Sequence, residues 1–210
     1  MSQFVFPAAC FVLLLASNGF AEDKIPLKTD LPQVAVTGTP VPITIPHEPK
    51  LEKWPQFEVP AGTVNLARGK KVTASDSEII VGTLDQITDG DKAGDEGSFV
   101  TLGRGKQWVQ IDLGKTARIY AVVVWHYHGQ ERVYHDVMVQ ISDDSSFTKC
   151  ATIYDNSDKG SDRPYIETRY GKLIDAKCAH GRYVRLYSNG NTSTKENDYI
   201  KVEVWGKPAA

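Results

Sequence analysis

QWVQIDLGKTARIYAVVVWHYHGQERVYHDVMVQIS, residues 107–142, is the stretch that decides the fold. Trp108, Val109, Ile111 and Leu113 form a short strand, Ile119 to Trp125 is a β-branched run, and Val133 to Ser142 alternates apolar and polar residues. The first strand is expected to stop at Asp112-Leu113-Gly114, where glycine permits a tight connection. The second, IYAVVVW, is apolar enough to be buried on both faces, as in a central strand of a sheet packed against another. The third fits a strand with one solvated face. Between the last two lies HYHGQER, a polar and aromatic loop of the kind on which a rigid sandwich carries its binding residues.

Working outward, strand signals recur at Lys71–Ala74, Phe99–Leu102, Ala151–Tyr154, Tyr165–Thr168, Arg182–Tyr187 and Ile200–Trp205. Turn clusters separate them, among them Asp89-Gly90-Asp91, Gly94 to Gly97, Asn156 to Asp162 and Asn189-Gly190-Asn191. No segment shows a long helical period. Short strands punctuated in this way predict an all-β fold, an antiparallel sandwich or barrel of about residues 64–207.

The chain has 210 residues and a formal net charge of -2, with no stretch that concentrates Lys and Arg, so nucleic acid is not an expected partner. Residues 1–21 read as a secretory signal: an apolar run too short to span a bilayer comfortably, ending in the small-x-small sequence Gly19-Phe20-Ala21. After its removal no transmembrane segment is expected, and the mature protein is secreted or periplasmic, or displayed at the cell surface. Residues 22–63 carry eight prolines between Pro26 and Pro60, a density that favours a semi-rigid extended spacer. Within it VAVTGTPVPITI alternates enough for an edge strand, and Trp54, Phe57 and Val59 are placed to dock its end onto the domain. Two cysteines remain, Cys150 and Cys178, each beside a predicted strand. In an oxidising compartment they are expected to pair, contributing about 3 kcal/mol by loop closure; two separate buried thiols are the alternative.

NLARGKKVTAS, ITDGD, QWVQIDLG, IYAVVVW, HDVMVQISDD, GRYVRLY and IKVEVWG stand in the order and spacing of the discoidin family, the coagulation-factor type C domains. The resemblance covers about residues 64–206 and implies a galactose-binding-like jelly roll with a prior of extracellular ligand binding. Members similar to it include bacterial carbohydrate-binding modules, lectins, and adhesion or membrane-binding domains.

Three constellations can carry chemistry. His126, Tyr127, His128 and Arg132 could hydrogen-bond vicinal sugar hydroxyls while Trp125 or Tyr127 stacks on the ring, because His126 and His128 share a face of an extended chain. The resemblance points to His126, His128 and Arg132, and Asp76, Glu78, Arg163 or Asn189 from other loops could complete the site. The alternative is that these groups only bond one another across the loop. A second possibility for His126, His128 and His135 is zinc or copper. Asp89 and Asp91, followed by Asp95, bunch oxygen ligands on a glycine turn that suits Ca²⁺. The resemblance implies a structural calcium between this loop and a glutamate near the start of the last strand. Here that position is Lys201, with Glu203 one pleat further on, so an ammonium either repels the metal or takes its place by pairing with Asp89 or Asp91.

No nucleophile elbow, paired-carboxylate motif or phosphate-cradling loop is present, so no enzyme is expected. Trp108, Trp205, Tyr183 and Tyr187 are assigned to packing, and Asn191-Thr192-Ser193 has the form of a glycosylation sequon. The expectation is a secreted, non-catalytic module binding carbohydrate through loops at one end of the sandwich. A structural or adhesion domain binding an extracellular protein is the alternative.

Overall fold

The structure is a computed structural model and describes residues 22–33, 42–95 and 97–209. The signal sequence and residues 34–41 of the expected edge strand lie outside the described residues. Among the described residues eleven strands are formed: β1 (Lys24–Pro26), β2 (Glu58–Pro60), β3 (Val64–Asn65), β4 (Lys71–Ala74), β5 (Val100–Leu102), β6 (Gln107–Trp125), β7 (Met138–Ser142), β8 (Ala151–Asp155), β9 (Lys172–Ser188), β10 (Asn197–Tyr199) and β11 (Lys201–Pro208). One 3-10 turn, Leu84–Ile87, precedes β5.

The two long strands β6 and β9 are paired antiparallel along their whole length and pass from one layer to the other. The first half of β6, Gln107 to Asp112, lies between β4 and the end of β9, and β9 continues this layer through β7 to β8. Its second half, Ala117 to Trp125, lies between the start of β9 and β11, to which β3 is added. Thus the expected stop at Gly114 is a bend. Gly114 has φ 84°, its N–H donates to Asp112 Oδ1 at 2.8 Å, and the ladder register shifts between Asp112 and Ala117. A left-handed residue flanked by a register break turns the strand a corner without ending it. Opposite the corner, Gly181 lets β9 approach the next strand: a Cβ there would lie 2.5 Å from Ile141 Cγ2.

The result is the expected antiparallel sandwich. Ile87, Val100, Leu102, Val109, Ile111, Ile119, Val122, Val124, Val139, Val184, Leu186, Val202 and Val204 fill the space between the layers, each at most 1% exposed. Residues 133–137 and 165–168 do not join the sheets. Tyr134 forms only an isolated bridge to Asn191, and Val133 and Val137 are buried as loop residues.

The alternate face of β6 carries Tyr120, Ala121, Val123 and Trp125, at most 6% exposed, and the proline-rich segment covers them. Leu27, Leu31, Trp54 and Phe57 pack there with Leu173, Ile200 and Trp205. Over its described residues the segment is therefore a strap packed on the sheet, not a free spacer. β1 pairs with β2, and Leu27 N–H donates to Phe57 O at 2.7 Å. Polar groups fix the strap further. Lys172 Nζ meets Glu48 at 2.5 Å, and the buried Lys92 Nζ meets Glu203 at 2.6 Å and donates to Thr29 Oγ1 and Asp30 O. Thr29 in turn donates to Glu203, so the ion pair has its remaining valences filled, as a buried pair requires.

Cys150 and Cys178 are both exposed free cysteines, which corrects the expected disulfide. β7 lies between β8 and β9, so the strands beside the two residues are not neighbours, and two strand spacings are about 10 Å. Cys178 also sits in the half of β9 that pairs with β11's layer, whereas Cys150 precedes the strand whose Ala151 lies opposite Ile141. That separation exceeds what a disulfide bridges. Reductant should therefore leave the melting temperature unchanged, whereas Leu27→Ala should cost about 2–3 kcal/mol in urea unfolding because it empties a buried site under the strap. A strap that is not packed in solution would give no loss.

Candidate functional site

At one end of the sandwich the β6–β7 loop, the β9–β10 loop and β5 meet around an open cavity of about 480 Å³. Its aromatic wall is Tyr127 against Phe99, edge to face with ring centroids 5.2 Å apart. Arg132 lies over the Tyr127 ring at 4.6 Å. Gln130, Thr194, Glu196 and Asp198 supply polar edges, and the half-exposed Val81 closes the rim.

The alternation expected for His126 and His128 places both toward the interior, with Tyr127 between them turned to the cavity. His126 is fully buried, stacked on Tyr134 at 4.2 Å and hydrogen-bonded through Nδ1 to Glu167 Oε1 at 2.8 Å. His128 is 9% exposed and its Nε2 donates to the Lys92 carbonyl at 3.1 Å. Neither histidine lines the cavity, which corrects the expectation that they bind sugar: their bonds hold the loop. Nor do they make a metal site, since no cluster of His, Cys, Asp or Glu suited to a metal exists among the described residues. Asn189 lies outside this cavity, donating to Asp136 Oδ2 at 2.8 Å and lining a neighbouring one. Asn191, the sequon residue, is 2% exposed and its Nδ2 donates to Thr194 Oγ1 and Glu196 O, which leaves no room for a glycan.

Of the expected residues, Tyr127 and Arg132 therefore line the cavity. Phe99, Thr101, Gln130, Thr194, Glu196 and Asp198 were not singled out from sequence. Asp198 is the key among them: it accepts from Arg132 Nη1 at 3.3 Å, Tyr134 OH at 2.6 Å and Thr101 Oγ1 at 2.8 Å. Burial and this adjacent carboxylate hold the Tyr134 phenol well above its ordinary range, so it stays a donor. The one sequence signal for Asp198 is a carboxylate set between Asn197 and two apolar residues at the entry of a buried strand.

At the Asp89 turn the residues do not fit calcium. Lys201 is 1% exposed, and its ammonium donates to the Gln86 carbonyl and to Asp89. Asp91 accepts from its own loop, at Ala93 N–H, and Glu203 is committed to Lys92. An ammonium is thus fixed among these oxygens and paired with Asp89, the second of the two arrangements open from sequence. Burial pulls the Lys201 pKa down, opposed by Asp89.

The family model of the F5/F8 type C domains, described as a NedA-like galactose-binding domain, matches residues 86–186. The domain is discoidin-like. No curated protein matches the chain. Solved structures sharing the discoidin-like fold include a truncated AlyQ with CBM32 and alginate lyase domains, at 18% identity and TM-score 0.54 over 70% of this chain and 34% of that one. A family 89 glycoside hydrolase from Clostridium perfringens matches at 18% identity and TM-score 0.55, over 70% of this chain and 15% of that one. Chitosan-binding module 1 from a chitosanase/glucanase of Paenibacillus sp. IK-5 matches at 22% identity and TM-score 0.52, over 68% and 99%. The chain thus spans only a minor part of the first two proteins and nearly all of the third. At these identities the likeness is one of fold.

Two outcomes follow. Because burial holds the His128 pKa below its ordinary range, the unfolded chain takes up a proton near pH 6.5 that the folded protein refuses. Stability should fall as pH drops below about 6.5, by up to about 1.4 kcal/mol per unit from this residue, and His128→Asn should flatten that slope in pH-dependent melts. At the Asp89 turn, calcium and chelator should both leave the melt unchanged, while Lys201→Met should cost about 1–3 kcal/mol by stranding the Gln86 carbonyl.

Proposed function

We propose that the chain is a secreted, non-catalytic module that binds carbohydrate in the Tyr127 cavity. One observation carries the reading: an aromatic wall, Tyr127 with Phe99, stands beside convergent donors and acceptors at the loop end of a rigid sandwich. A pyranose has apolar C–H faces and a polar rim, so it needs such a combination. Tyr127 takes the ring face, and Gln130, Thr194, Glu196 and the Arg132–Asp198 pair take hydroxyls. Asp198 sets the geometry, since the groups it anchors, Thr101 on β5 and Arg132 with Tyr134 on the β6–β7 loop, come from two segments distant in the chain. The fold shared with carbohydrate-binding modules supports this reading, as does the position of the cavity on loops and not in the core.

Affinity is expected to be modest, because the site is open and shallow. A glycan array probed with the full chain should reveal one saccharide class, and Tyr127→Ala should weaken its binding by about tenfold or more through lost stacking. Tyr127 is only partly buried, so this variant keeps the fold. A blank array from a cooperatively melting protein, or unchanged binding by Tyr127→Ala, overturns the proposal.

A further inference from the structure

A second cavity, of about 530 Å³, lies on the other side of the Asn189–Glu196 loop from the first. Thr194 and Glu196 line the first, whereas Asn191, Thr192 and Lys195 line the second. The two differ in charge. In the first, Arg132 is neutralised by Asp198 and Glu196 adds a further carboxylate. Arg104, His135 and Lys195 line the second, with no carboxylate among its lining residues. None of these three side chains has an ion-pair or hydrogen-bond partner among the described residues. Of the acids adjacent in sequence, Asp136 is occupied by the Asn189 amide and Glu196 lines the first cavity.

This cationic cavity is built, not incidental. The turn that presents Arg104 is pinned at both ends by the fully buried Asn197, whose Nδ2 donates to Gly103 O at 2.6 Å and Gly105 O at 2.9 Å. Lys195 is held at φ 65°, a left-handed conformation that an ordinary side chain adopts at a cost. The Asn191 side chain, accepting from Ser193 and Thr194 N–H, keeps that loop in place. His135 is fixed by its backbone, which exchanges hydrogen bonds with Asn189 and Gly190. In either protonation state its ring offers at least one N–H. The strap supplies the remaining wall with Pro42, Thr44 and Ile45.

We propose that the ligand is an acidic saccharide, whose uronate carboxylate or sulfate ester is held by Arg104, His135 and Lys195 while another ring of the same saccharide stacks on Tyr127. The inference rests on the carbohydrate reading above and names the ligand class of that site. Uncompensated cations gathered in a concave wall raise the local positive potential, and charge-assisted hydrogen bonds to an oxyanion are about twice as strong as neutral ones. The first cavity, with its own carboxylates, gives no such preference. Acid selectivity therefore resides in the second.

The test compares the full chain with an Arg104→Ala/Lys195→Ala double variant on neutral, uronate-containing and sulfated oligosaccharides. Both residues are exposed, so the variant folds, which a thermal melt verifies. Acidic saccharides should bind the parent more tightly than their neutral counterparts, and the double variant should lose about tenfold on them alone. Their binding should also weaken as added salt screens the cations. Preference between the uronate and sulfate arms identifies the anionic group. Equal binding of neutral and acidic saccharides, or an unchanged double variant, overturns this inference and leaves the Tyr127 site standing. Binding of no glycan by the folded chain overturns both.

Discussion

The structure depends on covering one strand. The half of β6 from Ile119 to Trp125 is apolar at every position, and a sandwich covers only one of its faces. Ile119, Val122 and Val124 meet the opposing layer, which leaves Tyr120, Ala121, Val123 and Trp125 facing outward. At about 25 cal/mol per Å² of apolar surface, such a face left in water would offset much of a domain's net stability. The strap resolves this. Its prolines keep the backbone extended, and Leu27, Trp54 and Phe57 supply apolar cover.

The strap also brings polar groups with it, and these organise the neighbouring end of the molecule. Thr29 and Asp30 complete the shell of Lys92, whose ammonium lies 4.5 Å from the Trp125 ring and pairs with Glu203. Lys92 also offers its carbonyl to His128, so the loop after β6 is tied to the same cluster. One residue earlier Tyr127 faces the cavity. Two ammonium groups, Lys92 and Lys201, thus do by fixed side chains what a bound cation could do, neutralising acids next to β11 without a metal.

Much of the architecture is legible in the residues. The β-branched and alternating runs that form β4 to β8, the Arg182–Tyr187 part of β9 and β11 mark their own positions, because burial on one or both faces leaves a period in the sequence; the first half of β9 does not read as a strand. The errors have local causes. Gly114 reads equally well as a stop or a bend, and only pairing with β9 on both sides of it selects the bend. Val133 and Val137 alternate like strand residues, yet they bury as loop, since Tyr134 must reach Asp198. Phe99 and Gln130 carry no motif, and their role arises from meeting Tyr127 across segments far apart in the chain.

By itself, the sequence determined the all-β antiparallel class, the double-sided burial of IYAVVVW, and the loop that carries Tyr127 and Arg132. These are properties of composition and spacing within single segments. Only the tertiary structure decided which way each side chain points. It turned His126 and His128 inward and Tyr127 outward, separated Cys150 from Cys178 by a strand, laid the strap on β6, and gathered Arg104, His135 and Lys195 around one cavity. Each of these is a relation between residues distant in the chain, set by strand order and by the pairing of buried polar groups, and no local pattern encodes it.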